Sequence, residues 1–214
     1  MIKIDESNVK DHHYLALPED ECFYLKEYKS GVGYKGGDTN SLILNFKKEL
    51  VEIGSPQFYY REKAKEDITS MLVDALSKNK NIKHYTFVPI PPSKAKTDPL
   101  YEPRLLFLLR RVSKKLSMSD ELSELDIREL LFLKESMKPS HKTGNRLTKD
   151  ELKKLIFVDD DQLQLTKKII ILFDDVLTTG AHFKACKELL KEKLPDIRII
   201  GLFIARTIRP LQCD

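Results

Sequence analysis

The stretch IIILFDDVLTTGAH, residues 169–182, decides the expected fold of this chain. Its first five residues form a continuous apolar run, which is typical of a strand buried on both faces of a parallel sheet. Two adjacent acids and a Thr-Thr-Gly turn follow, and apolar spacing then predicts a helix over Phe183–Leu194. A second strand pattern at Ile197–Ala205 completes a strand-helix-strand unit. The stretch therefore predicts an α/β fold with a largely parallel sheet flanked by helices.

The same stretch carries the strongest functional signal. Ligands of open parallel sheets bind beyond the carboxyl ends of the strands, and a turn that opens a helix offers backbone amides to a phosphate. Gly180 lets the backbone approach such a ligand closely. Asp174 and Asp175 would repel the phosphate itself, so we interpret them as acceptors for sugar hydroxyls or as neighbours of a magnesium ion. A single acid after a strand usually only caps the next turn, but the whole string favours a ribose 5-phosphate ligand.

Segments upstream repeat the alternation of strands and helices. The patterns predict strands at His84–Ile90 and Glu129–Leu133, and helices over Glu62–Ser77, from Glu102 to Leu116, and over Thr148–Leu155. Thr148 followed by Glu151 has the spacing of a capping box at the start of the last of these helices. The polar, basic stretch Lys134–Arg146 has no apolar period, so we expect it to be a mobile loop.

Part of this pattern resembles a known family. The string DDVLTTGA, residues 174–181, resembles the phosphoribosyl pyrophosphate (PRPP) binding motif of type I phosphoribosyltransferases and is especially similar to their ComF-like branch. TFVPIPPSK, residues 86–94, resembles the family's pyrophosphate loop, and Leu131–Leu155 resembles its flexible loop and following helix. The resemblance implies a type I phosphoribosyltransferase-like fold, with a small N-terminal hood region at 1–60 and a core at 61–214.

The resemblance also implies roles for individual residues. Asp174, Asp175 and Lys134 are the implied catalytic residues, the two acids binding ribose hydroxyls near a Mg²⁺ ion that PRPP itself mainly holds. The implied 5-phosphate site consists of Thr178, Thr179, Gly180, Ala181 and His182. The implied pyrophosphate contacts are Ser93 and Lys94. The implied flexible-loop residues are Lys138, His141, Lys142 and Arg146.

The activity implied by the resemblance is Mg²⁺-dependent transfer of phosphoribosyl from PRPP to an unidentified acceptor, such as a nucleobase, with release of pyrophosphate. Three departures from the family pattern keep a second hypothesis open. His182 stands where the family usually has Ser or Thr, Lys134 replaces an Arg, and the zinc element of ComF-like proteins is absent. The alternative is a non-catalytic PRPP sensor or an accessory protein of DNA uptake or processing. A structural or partner-binding protein with a decayed motif is a third option.

Composition narrows the class of partner. The 214 residues include 37 Lys and Arg and 33 Asp and Glu, whose signs are interleaved, for a net charge of +4. This weak excess favours small anionic ligands, so nucleic-acid binding stays open but is not favoured. Cys22, Cys186 and Cys213 form no CxxC pair, which favours a reducing cytoplasm and no zinc site. No apolar run is long enough for a membrane span, and the resemblance leaves a homodimer open.

Three further patterns receive ordinary interpretations. Gly31, Gly33 and Gly36 spell GxGxxG, but without a tight strand-to-helix turn, so we predict a flexible hairpin and no dinucleotide site. Lysine and arginine doublets, Lys47/Lys48 among them, are interpreted as solvated helix faces. The pair His12/His13 has no second ligand pair at metal spacing, which predicts surface or packing roles.

Overall fold

The strands of this protein form one large and one small sheet. The computed structural model describes residues 1–48, 54–118, 124–137 and 147–209. Their strands are β1 (Ile2–Lys3), β2 (Cys22–Lys29), β3 (Tyr85–Pro89), β4 (Asp126–Ile127), β5 (Leu131–Leu133), β6 (Ile156–Val158), β7 (Ile169–Leu177) and β8 (Arg198–Ile208). The large sheet has the order β1-β2-β8-β7-β3-β4, in which β1 alone is antiparallel to its neighbour. The predicted α/β class with a mostly parallel sheet is confirmed.

Helices cover both faces of the large sheet. The α-helices of the described residues are α1 (Asp38–Phe46), α2 (Pro56–Ser77), α3 (Arg104–Ser117), α4 (Lys149–Leu155), α5 (Asp160–Leu163) and α6 (Ala181–Lys193). Buried residues of α1, α2 and α3 share one apolar core, and those of α4 and α6 share another with the small antiparallel sheet of β5 and β6. The expected arrangement of helices on both sides of the sheet is therefore confirmed.

Strand β7 lies at the centre and contributes to both cores. Ile170 and Leu172 belong to the α4–α6 side, whereas Ile171 and Phe173 belong to the α1–α3 side. Successive side chains of a strand point to opposite faces, so a strand covered on both faces needs an uninterrupted apolar run. This requirement explains why the run at the start of β7 was informative in the sequence.

Most predicted elements are present with shifted ends. The capping box is confirmed, because the Thr148 hydroxyl accepts from the Glu151 amide and the Glu151 carboxylate accepts from the Thr148 amide. Helix α2 begins at Pro56, six residues before the predicted start. Helix α3 begins at Arg104, with Pro103 as its N-cap. The strand predicted at residues 129–133 is shorter and pairs with β6 in the small sheet.

The glycine-rich stretch at residues 31–37 corrects one prediction. It is not a hairpin, because β2 runs parallel to β8 and the chain leaves β2 through a short 3-10 turn, Gly33–Gly36, into α1. The Asn40 side chain bonds to both the amide and the carbonyl of Lys29 and to the carbonyl of Gly33, which ties the helix to the end of the strand.

The predicted boundary between residues 60 and 61 falls inside α2. Strand β2, from the predicted hood region, pairs along seven residues with β8 of the predicted core. Residues 1–60 thus supply part of the large sheet, and a hood role for them stays a prediction. In the part of the chain that the structure describes, no helix has the length and apolar character needed to cross a membrane.

Candidate functional site

A cavity of about 430 Å³ opens where β3 and β7 end. Its lining includes residues 89–93 at the end of β3 and just after it, residues 103–106 at the start of α3, residues 174–177 of β7 with Thr178 after it, and the first turn of α6. The Ile90 amide donates to the Phe173 carbonyl at 2.8 Å, which holds the end of β3 against β7. Parallel strands end at the same edge of the sheet, so segments more than 80 residues apart in sequence meet around one space.

The two acids lie within β7. The strand was expected to end at Phe173, but Asp174 pairs in register with Phe203 of β8, and the ladder continues to Leu177. Strand β7 extends this far because the neighbouring strand β8 is eleven residues long and provides hydrogen-bond partners along its whole length. Both carboxyl groups line the cavity from this last third of the strand.

Different partners hold the two carboxyl groups. The Asp174 carboxylate accepts a hydrogen bond of 2.7 Å from the backbone amide of Asp175. The Asp175 carboxylate lies 2.8 Å from the ammonium group of Lys47. Burial and the neighbouring charge of Asp175 raise the pKa of Asp174 above its usual range. The ionised form of Asp174 is therefore disfavoured at this site, and Asp175 is the acid that contacts Lys47.

The Thr-Thr-Gly turn is held from behind by the N-terminal segment. The Thr179 carbonyl accepts from the Tyr14 amide at 3.0 Å, and the Thr178 carbonyl accepts from Nδ1 of His12. His12 is fully buried, so its predicted packing role is confirmed. These contacts satisfy both carbonyl groups of the turn, while the first amides of α6 have no intrahelical acceptor.

Gly180 is required by the backbone at this turn. Its φ is +88°, and a Cβ built there would lie 3.0 Å from the side chain of Leu15. Glycine tolerates the left-handed conformation and also removes the side chain that would collide with the N-terminal segment. Glycine is therefore required for the conformation of the turn and for its packing on the N-terminal segment, while close approach of the turn to a ligand stays a prediction.

His182 lines the cavity from the first turn of α6. Burial lowers the pKa of His182 to about 4, although the charge of Asp175 opposes the shift. Its Nε2 atom is buried and has no hydrogen-bond partner among the described residues. A neutral imidazole carries one N–H group, so this side chain can serve as a hydrogen-bond donor in the cavity.

The cavity gathers some of the predicted site residues and leaves others aside. Its lining includes Asp174, Asp175, Ser93, Thr178, Gly180 and His182. Thr179 and Ala181 flank it without lining it, and Lys94 lies 3.3 Å from Asp98, to which it is paired. Lys134 is exposed, with its backbone amide bonded to the Leu155 carbonyl. The predicted loop residues Lys138, His141, Lys142 and Arg146 lie outside the described residues.

Two cations that sequence reasoning missed also line the cavity. Lys47 follows α1 and is 42% exposed in its side chain, as expected of a solvated helix end, but it also reaches Asp175, which that interpretation did not predict. Arg104 is the first residue of α3, and one of its terminal nitrogens is buried without a partner in the described chain. No local pattern marks either residue, because both are brought to the acids by the packing of α1 and α3 on the sheet.

The donor set fits a magnesium ion that a ligand helps to hold. Carboxylate oxygens suit Mg²⁺. Besides Asp174 and Asp175, the lining includes Glu129, whose carboxylate accepts hydrogen bonds from Lys96 and Tyr101. Among the described residues, no three His, Cys, Asp or Glu side chains converge as a metal cage. A phosphate-bearing ligand would therefore have to supply most of the coordination.

Comparisons with known proteins assign no family to this chain. No protein-family model matches it, and a search of curated proteins finds no significant match.

Proposed function

We propose that this protein binds PRPP and transfers its phosphoribosyl group, with Mg²⁺, to an acceptor such as a nucleobase. The fold proposed with this function is that of the type I phosphoribosyltransferases. One observation carries the proposal: the acid pair, Thr178 and Gly180 of the Thr-Thr-Gly turn, and Ser93 line the same cavity. Its volume lies within the range typical of small-molecule sites.

The proposed ligand matches the distribution of charge around the cavity. Thr178, Gly180 and the first amides of α6 would bind the 5-phosphate, with His182 as an added donor. The acid pair would accept hydrogen bonds from the ribose hydroxyls. Ser93 and Arg104, which line the same cavity, would contact the pyrophosphate, whose charge the arginine would offset.

The proposed reaction breaks the bond between the anomeric carbon and a pyrophosphate oxygen and forms a bond from that carbon to the acceptor. Pyrophosphate leaves with the electron pair of the broken bond. Positive charge develops on the ribose ring, and the carboxylates beside it stabilise that charge. Arg104 would offset negative charge on the leaving group. When bound, Mg²⁺ would add further neutralisation of the pyrophosphate.

Calorimetric titration with PRPP and Mg²⁺ tests the proposal. We expect the double variant Asp174→Asn/Asp175→Asn to bind PRPP roughly 100-fold more weakly, because carboxyl oxygens that would accept hydrogen bonds from the ribose hydroxyls are replaced by amide groups. The matched control is Asp160→Asn/Asp161→Asn, an adjacent acid pair that is exposed on α5. Unchanged PRPP affinity in the first variant, or equal losses in both, would reject the site.

A second candidate is a PRPP-binding protein without turnover. The observation that favours it is the position of Lys134, which is exposed and outside the cavity lining. A pyrophosphate-release assay with a panel of nucleobases separates the two functions. Release that depends on both acids supports the transferase, whereas PRPP binding without release for any acceptor supports the sensor.

A further inference from the structure

The acid pair of the cavity already has a cation of its own. Lys47 lies directly after α1, and its amide donates to the Ile43 carbonyl at 3.0 Å. Ile43 and Phe46 are fully buried in the core of the α1–α3 side, so the backbone that carries Lys47 is firmly anchored. From this position the ammonium group reaches the Asp175 carboxylate at 2.8 Å.

The contact is a true ion pair. The distance of 2.8 Å between the ammonium nitrogen and the carboxylate oxygen is that of a charge-assisted hydrogen bond. Lys47 is 42% exposed and Asp175 16% exposed in their side chains, so the pair is partly screened by water. A pair of this kind is strong enough to organise the carboxylate and weak enough to open when a ligand arrives.

We infer that Lys47 is the resident cation of the acid pair, that it competes with divalent metal ions for Asp175, and that it allows sugar phosphates lacking a pyrophosphate to bind without magnesium. The competition between Lys47 and metal ions does not depend on which ligand the cavity binds. The inference that sugar phosphates bind without magnesium rests on the proposed function.

Charge balance at the acid pair supports this inference. A divalent ion that approached both carboxylates would have to displace the lysine or share Asp175 with it, and like charges repel at such distances. Ribose hydroxyls face no such conflict, because they can donate to Asp174 and to the second oxygen of Asp175 while the lysine stays in place. Lys47 therefore selects against a metal bound to the protein alone.

Titration of the ligand-free protein with Mn²⁺, followed by electron paramagnetic resonance, tests the competition directly. We expect Lys47→Met to bind Mn²⁺ about tenfold more tightly than the wild type, since a partly screened charge repulsion is removed. Lys47→Arg keeps the charge and should match the wild type. Lys48→Met changes the neighbouring lysine, outside the cavity lining, and is the matched control. Circular dichroism verifies that each variant is folded.

Two outcomes of this titration would overturn the inference. Equal Mn²⁺ affinity in the wild type and Lys47→Met would mean that the lysine does not compete. A Mn²⁺ affinity that stays above that of the wild type in Lys47→Met/Asp175→Asn would mean that the metal binds elsewhere. A Mn²⁺ affinity that returns to the wild-type value in that double variant supports the inference.

Ribose 5-phosphate is the probe for the second part. We expect the wild type to bind it with equal affinity, to within about a factor of two, in EDTA and in Mg²⁺, and Lys47→Met to require Mg²⁺. A wild type that needs Mg²⁺ would overturn this part. Loss of all binding of PRPP and ribose 5-phosphate, combined with the Mn²⁺ gain, would reject the proposed function and leave the competition by Lys47 established.

Discussion

The two walls of the cavity are built in different ways. The wall formed by β7 and α6 is a single continuous stretch, and the N-terminal segment supports its turn through His12 and Tyr14. The wall formed by β3 and α3 is supported by residues 136 and 137, where the Met137 amide donates to the Ser93 carbonyl and the Ser136 hydroxyl accepts from the Ala95 amide.

This difference separates recognition of the sugar phosphate from recognition of the leaving group. The first wall presents acids, a helix N-terminus and a neutral histidine, and its turn is held by the buried His12 and by Tyr14. The second wall presents Ser93 and Arg104, and its support comes from the segment that begins at the exposed Lys134. We therefore expect changes behind the first wall to affect stability most, and changes in the second to affect only ligands that carry a pyrophosphate.

The largest expected effect concerns Asp20, which anchors the N-terminal segment to α6. Its carboxylate is fully buried and lies 2.5 Å from Lys184 and 2.7 Å from Lys187. Asp20→Asn removes the carboxylate charge that pairs with the ammonium groups of Lys184 and Lys187. We therefore expect the free energy of unfolding, measured by urea denaturation, to fall by about 3 kcal/mol. Glu19→Gln, on an exposed side chain, is the control. Equal stability of the two variants would show that the first wall does not depend on this anchor.

A smaller effect concerns His182 and pH. Because burial lowers its pKa to about 4, the unfolded chain binds more protons than the folded one between that value and the ordinary pKa of 6.5. Its contribution to stability is therefore complete above that window and decreases as pH falls through it.

The comparison of wild type with His182→Gln isolates this contribution. Between pH 7 and pH 4.5 we expect the wild type to lose about 2 kcal/mol more unfolding free energy than the variant. Denaturation curves at a series of pH values measure it, with the exposed His13→Gln as control. If the free energies of unfolding of wild type and His182→Gln changed equally with pH, the claim that His182 is buried in its neutral form would be contradicted.

The smallest expected effect concerns Arg104 on the second wall. Arg104→Met should weaken binding of PRPP and of inorganic pyrophosphate about tenfold and leave ribose 5-phosphate unchanged, because one charged partner is lost. Arg110→Met, on the exposed face of α3, is the matched control in the same calorimetric titrations. If Arg104→Met weakened binding of ribose 5-phosphate as much as binding of PRPP, the second wall would not act only on ligands that carry a pyrophosphate.

Local patterns accounted for much of the fold. The capping box at Thr148 and the apolar run of β7 depend on contacts within a few residues, and the structure confirms both. Element ends were less predictable, because they depend on neighbours distant in sequence. The acids were expected beyond the strand, yet the hydrogen-bond ladder between β7 and β8 continues past them. The GxGxxG stretch was expected to form a hairpin, but β2 pairs in parallel with β8, and the stretch leads into a helix.

The sequence by itself determined the α/β class and the wall at residues 174–182, because a buried strand, an acid pair and a glycine turn are adjacent along the chain. Only the tertiary structure decided that Lys47 and Arg104 join that wall around one cavity. Packing of α1 and α3 on the sheet brings these two side chains to the cavity. The order of charged residues along the chain does not indicate how those helices pack, so it could not predict this.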